Sequence, residues 1–276
     1  MKFEYGVMQG RLSKRIGRKI QAFPEKNWQL EFQRAKKLGI KKIEWTLDCK
    51  NIKKNPIFTK SGQLQIKRLS KKHFVKINSL TGDCFMQKPF WKIKNNQKLI
   101  DDFIKIINCS KKIGVKFIVI PLVDNGLIEN INHEKKLIKI CKQVKKKLEI
   151  YGIKIVFESD FNPVKLKKFI KKFDKNYFGI NYDVGNSASM GFDINSEFKN
   201  YGKYIYNIHI KDRVKNGKTV RLGQGNANFV DLYKNLRKIN YNGNLILQTA
   251  RSKINKDLEE IKINLAFLKK FHSEKK

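Results

Sequence analysis

The sequence predicts a (β/α)8 TIM barrel, and three observations predict it. Short apolar runs alternate with longer amphipathic, lysine-rich stretches from one end of the chain to the other. Eight such pairs occur, which suits a closed parallel barrel; an open doubly wound sheet usually has fewer strands. No Gly-x-Gly-x-x-Gly turn follows the first apolar run, so an open dinucleotide-binding sheet lacks its best sign.

The expected strands, in order, are Phe3–Met8, Lys42–Trp45, Val75–Leu80, Val115–Leu122, Lys154–Glu158, Phe178–Asp183, Ile205–Ile210 and Asn244–Gln248. The helices expected between and after them are Trp28–Leu38, Gly62–His73, Gln97–Ile113, His133–Tyr151, Pro163–Phe173, Ile194–Tyr201, Phe229–Ile239 and Asn255–Phe271. Leu38-Gly39, Ile113-Gly114 and Tyr151-Gly152 each supply a helix-ending glycine just ahead of a strand. With 276 residues, 41% of them hydrophobic, and no shift in composition along the chain, one domain over residues 1–276 is expected.

The net charge of +37 invites a nucleic-acid reading. Only nine of the 61 basic residues are Arg, however, and the lysines run through the whole chain, as at Lys14–Lys19, Lys145–Lys147, Lys167–Lys172 and Lys269–Lys276. Solvated helix faces in a Lys/Ile/Asn-biased composition account for them better than a nucleic-acid groove. The charge should still concentrate anionic substrates near the surface. Cys49, Cys84, Cys109 and Cys141 are widely spaced, which suits reduced thiols in a cytoplasm. Met1-Lys2-Phe3-Glu4 opens no apolar signal segment, and no membrane-length apolar run follows, so a soluble cytoplasmic protein is expected.

In such a barrel the chemistry projects from the C-terminal strand ends. The fifth strand closes on Phe157-Glu158-Ser159-Asp160 and the sixth on Tyr182-Asp183-Val184-Gly185-Asn186. The seventh closes on Ile208-His209-Ile210-Lys211-Asp212-Arg213 and the eighth on Leu247-Gln248-Thr249-Ala250-Arg251. Taken singly, Glu158 reads as a rim salt bridge, Asp183 as a turn former and His209 as a hydrogen-bonded core histidine. Taken together, two acids, an imidazole and an amide on four neighbouring strands suit one divalent ion such as Mn2+, Mg2+, Co2+ or Zn2+.

These motifs, Asp-x-Gly-Asn at Asp183–Asn186, His-x-Lys-Asp at His209–Asp212 and Gly-x-Gly at Gly223–Gly225, resemble those of the xylose-isomerase-like sugar isomerase/epimerase superfamily. The nearest pattern within it is that of the L-ribulose- or L-xylulose-5-phosphate 3-epimerases. The likeness takes in most of the chain, including Glu44-Trp45 on the second strand, and is densest over residues 178–251. It implies a metal held by Glu158, Asp183, His209 and the eighth-strand position, with chemistry on a small sugar or sugar phosphate through an enediolate. The family has Glu at that last position where this chain has Gln248. An amide carbonyl still coordinates a hard cation, but it adds no charge and takes up no proton.

The loss leaves Glu158 as a one-base catalyst, which suits an aldose–ketose isomerase, unless Asp83, Glu44 or Asp212 replaces the missing acid. Arg11, Arg213 and Arg251 are candidate grips for a phosphate or carboxylate, with Lys211 and Asn186 as further substrate contacts. The backbone N–H groups of Gly223–Gly225 offer a phosphate cradle. Trp45, ahead of Trp28 and Trp91, is the aromatic expected to face a sugar; Asn228 reads as a helix cap. His73, His133 and His272 are expected to face solvent. Two other classes compete: a non-catalytic sugar-binding barrel that lost its eighth-strand carboxylate, and a DNA-repair endonuclease of the same superfamily, whose histidine-rich three-zinc cluster four histidines can hardly supply. A homo-oligomer is compatible with the sequence but nothing in it requires one.

Overall fold

The computed structural model describes residues 3–17, 19–50, 52–252 and 256–271. Arg18 in the first lysine run, the expected helix start at Asn255, His272 and the rest of the tail lie outside the described residues.

Eight parallel strands close into a barrel. They are β1 (Tyr5–Met8), β2 (Lys42–Leu47), β3 (Lys76–Gly82), β4 (Phe117–Leu122), β5 (Lys154–Ser159), β6 (Phe178–Asp183), β7 (Ile205–Ile210) and, after a two-stranded ribbon of β8 (Asp212–Arg213) and β9 (Thr219–Val220), β10 (Asn244–Leu247). Around the ring the order is β1, β10, β7, β6, β5, β4, β3, β2, so chain neighbours pair throughout apart from the interposed ribbon. The helices are α1 (Trp28–Lys37), α2 (Lys60–His73), α3 (Asp83–Gln87), α4 (Gln97–Ile113), α5 (Ile131–Tyr151), α6 (Pro163–Ile170), α7 (Val184–Met190), α8 (Ile194–Tyr201), α9 (Phe229–Lys238) and α10 (Asp257–Lys269).

All eight expected strands and all eight expected helices are present. The short helices α3 and α7 and the ribbon were not foreseen, because five or seven residues show no 3.6-residue periodicity. Helix α7 forms despite its Gly-Asn-Ser content because Asp183 caps it: Oδ1 accepts the Asn186 backbone N–H at 2.8 Å. Asn228 caps α9 as expected, accepting from the Asp231 N–H at 3.0 Å.

Strand alternation sorts the side chains. On β5, Phe157 faces outward and packs edge-to-face against Phe169 of α6, with ring centroids 5.5 Å apart, while Glu158 faces in. On β2, Trp45 faces outward against Trp28 of α1 at 5.5 Å, and its indole N–H donates to Asn55. Trp45 is fully buried in the helical layer, so the expected sugar-facing tryptophan is corrected: the inward residue of that pair is Glu44. Trp28 and Trp91 are core residues as well. Two strand pairings carry register shifts, at Ile43/Glu44 against β3 and at Ile180/Asn181 against β7.

Candidate active site

The C-terminal ends of β5, β6 and β7 bring Glu158, Asp183 and His209 together. Asp183 and His209 are paired directly across β6 and β7. A carboxylate oxygen of each acid and a ring nitrogen of His209 lie within 4.8 Å of one another, and all three residues are buried. Two hard oxygen donors and one imidazole nitrogen at that spacing can share one divalent cation.

Each donor is held from behind. Glu158 Oε2 lies 3.0 Å from His209 Nδ1 and accepts from Asn181 Nδ2 at 2.9 Å, and Oε1 accepts from Asn186 Nδ2 at 3.1 Å. Asp183 spends Oδ1 on its cap and turns Oδ2 to Lys211 Nζ at 2.6 Å, 4.0 Å from His209 Nδ1. His209 Nε2 meets Glu44 Oε1 at 2.7 Å. Burial alone would lower the His209 pKa, but the charge of Glu44 and the hydrogen bonds to Glu158 and Glu44 override it and raise the pKa to about 10. Without a metal the ring is therefore an imidazolium donating from both nitrogens.

Gln248 stands one residue past β10, and its Oε1 accepts from Lys211 Nζ at 3.2 Å. The Lys211 ammonium thus bridges the sixth-strand carboxylate and the eighth-strand amide. The Asp-x-Gly-Asn glycine makes room for it: a Cβ on Gly185 would lie 2.8 Å from Lys211 Cγ. Asn186 extends outward to Arg213, whose Nη1 donates to Asn186 Oδ1 at 2.9 Å.

The expected anion handles are largely engaged within the protein. Arg213 Nε and Nη2 both donate to the Gly217 carbonyl, at 3.0 and 2.8 Å. Arg11 is buried and donates to the carbonyls of Thr249 and Ile20 and to Gln21, at 3.0, 2.7 and 2.7 Å. Arg251 ties the Gly10 and Ser13 carbonyls to Asp257. The glycine loop requires a correction. The N–H groups of Gly223, Gly225 and Ala227 converge on the Asp212 carboxylate at 2.9, 2.9 and 3.0 Å, so the cradle already holds an anion belonging to the chain. A Cβ on Gly225 would lie 2.2 Å from Asp212 Oδ1. Replacing Asp212 with Ala takes the acceptor from three partly exposed backbone donors and should cost about 1–3 kcal/mol. A fall in Tm together with faster proteolysis of the loop at 222–227 checks this; an unchanged Tm contradicts it.

Of the three acids considered as replacements, Asp212 is therefore committed and Glu44 lies beneath His209. Asp83 remains, half-buried at the start of α3, with burial and then the Glu158 charge pushing its carboxyl up to about 7. Asp160 behaves alike, at about 6 for the same two reasons. Sequence reading missed Asn181 and Asn207, although Asn-x-Asp on β6 and Asn-x-His-x-Lys on β7 alternate with apolar neighbours and so announce an inward polar face. His73 and His133 sit half-buried on the helical layer, not fully in solvent, which leaves His209 as the one histidine at the barrel mouth among the described residues, too few for a histidine-rich three-zinc cluster.

Residues 32–271 match the family model described as xylose isomerase-like TIM barrel, and the chain belongs to that family. It is 24% identical over 264 residues to SgbU of Haemophilus influenzae, provisionally named an L-ribulose-5-phosphate 3-epimerase, covering 90% of this chain and 92% of that protein. An uncharacterised protein of Methanocaldococcus jannaschii, MJ1311, is 32% identical over 108 residues, or 34% of this chain. That match spans only 36% of the relative's length. Among solved structures, the IOLI protein with a bound zinc atom superposes with a TM-score of 0.76 at 18% identity, over 98% of this chain and 100% of that one; the likeness is one of fold.

Proposed function

We propose that this protein is a metal-dependent isomerase or epimerase acting on a small sugar or sugar phosphate. The observation that carries the reading is the convergence of Glu158, Asp183 and His209 donor atoms within 4.8 Å at the barrel mouth. The provisional epimerase name of the Haemophilus influenzae relative supports the substrate class. These residues fit a divalent cation by donor chemistry, with Gln248 Oε1 as a neutral fourth ligand where Lys211 releases it. Such an ion, when bound, supplies Lewis-acid stabilisation of the negative charge that develops on the substrate oxygens.

Glu158 is the base. Its carboxylate removes the proton alpha to the carbonyl to give an enediolate, and its glutamic acid form returns the proton. Asn186 and Asn181 hold one oxygen each, which fixes the plane of the carboxyl group. Lys211, where it exchanges Gln248 for substrate, stabilises a hydroxyl or phosphate oxygen at the same mouth, and Arg213 keeps Asn186 in place beside it. Gln248 takes no part in proton transfer, so Glu158 alone delivers the proton to the neighbouring carbon on the same face, while the hydroxyl proton passes from one enediolate oxygen to the other, which produces aldose–ketose isomerisation.

One observation favours epimerisation instead: Asp83, with its carboxyl near 7, suits a second acid–base group. Product analysis of Asp83→Asn separates the two. Loss of turnover with wild-type metal uptake assigns a second acid and epimerisation; retained aldose–ketose exchange assigns the one-base scheme. Glu for Gln248 adds a charged ligand, and zinc affinity measured by calorimetry should rise roughly tenfold or more. Unchanged affinity would remove the eighth-strand position from the ligand set.

No helix among the described residues is long and apolar enough to cross a membrane.

A further inference from the structure

We infer that Glu44 is a positioning residue that decides which nitrogen of His209 is presented to the donor cluster. The inference rests on the metal role proposed for His209.

Glu44 is fully buried in the barrel interior, below the mouth. Its Oε1 accepts from Thr81 Oγ1 at 2.6 Å and lies 2.7 Å from His209 Nε2. Its Oε2 accepts from Asn207 Nδ2 at 2.8 Å. The same Asn207 amide donates to Asn181 Oδ1 at 2.7 Å, and Asn181 passes the chain on to Glu158 Oε2 at 2.9 Å. A continuous buried circuit therefore runs from Glu44 to both His209 and Glu158.

The chemistry of that circuit is one-directional. An ionised carboxylate only accepts, so the ring nitrogen facing it must carry a proton. Nε2, enclosed against Glu44, is thereby held as N–H; Nδ1 carries a proton toward Glu158 only while no cation is bound, and it is the nitrogen that can yield that proton to a cation shared with Glu158 and Asp183. An amide at position 44 would not give this direction, because it can present oxygen or nitrogen to the ring. It would also set its own NH2 against a donor, either Asn207 or His209. The barrel's two register shifts fall at Ile43/Glu44 and Ile180/Asn181, so the circuit residues Glu44 and Asn181 each sit where a strand is re-aimed.

The test uses zinc alone as probe, on full-length protein. Glu44→Gln should weaken zinc binding about 10- to 100-fold by calorimetry. Thr81→Val, which removes a Glu44 partner that does not touch the ring, should stay within about threefold of wild type by the same measure. In zinc-loaded wild-type protein labelled with 15N-histidine, the His209 Nε2 proton should appear downfield and protected from exchange, with Nδ1 as the metal-bound nitrogen. That spectrum needs no variant, so a Glu44→Gln chain that fails to fold does not decide the matter. Zinc on Nε2, unaltered affinity in folded Glu44→Gln, or an equal loss in Thr81→Val overturns the inference. If wild type binds zinc and His209→Gln does not, these results sink the Glu44 assignment alone. If wild type takes up no zinc, the metal reading falls and this inference falls with it.

Discussion

Replacing Glu158 with Gln should slow deuterium wash-in from heavy water into a ketose or ketose phosphate by about 10²–10⁴-fold, the usual contribution of a positioned general base. The amide is nearly isosteric with the carboxylate but takes up no proton. It still receives one N–H from Asn181 or Asn186 through its oxygen, so the chain should fold. Zinc content should fall less steeply than rate, since Asp183 and His209 remain. Wash-in is the appropriate readout because it reports enolisation whatever the final product. Wash-in at the wild-type rate would show that Glu158 is not the base.

His209→Ala carries the largest expected cost in stability. The imidazolium lies between Glu44 and Glu158, at 2.7 and 3.0 Å, and its removal leaves two buried carboxylates without a counter-cation. Breaking a buried pair in this way costs about 3–5 kcal/mol. The pH dependence has a definite sign. Burial opposes the charged ring, but Glu44 and Glu158 raise its pKa in the fold to about 10, above the ordinary histidine value of 6.5. In the metal-free protein the stabilisation is fully present below about pH 6.5 and is lost as pH rises through about 10. The Tm of metal-free wild type should therefore drop over that window more than the Tm of His209→Gln does. Metal and proton compete for Nδ1, so zinc affinity of wild type should increase by about tenfold per pH unit below the ring's pKa. Parallel Tm profiles for the two proteins, or zinc affinity independent of pH, would contradict this.

The barrel was legible because each strand is a short apolar run and each C-terminal end breaks that run with a polar side chain. Glu158, Asp183 and His209 stand out for that reason: each follows an apolar lead-in, and one acid or imidazole closes each strand. The short helix α7 was not legible, since its start depends on the Asp183 cap and its sequence has little helix propensity. Glu44 was read as a rim acid because sequence gives the strand but not its height in the barrel, nor the register shift at that residue. What engages the arginines and the Gly223–Gly225 loop was not legible for a different reason. Whether a donor is free depends on what the fold places beside it, and here that is the Gly217 carbonyl for Arg213 and the Asp212 carboxylate for the loop. Trp45 shows how a one-residue step along a strand exchanges barrel interior for helical layer.

Elemental analysis of purified protein, after exchange into zinc and removal of excess, tests the central proposal most directly. One equivalent of zinc per wild-type chain, with marked loss in folded His209→Gln and in folded Asp183→Asn, is the predicted result. Equal zinc in all three proteins, or none in wild type, would contradict a metal site built from the ends of β5, β6 and β7.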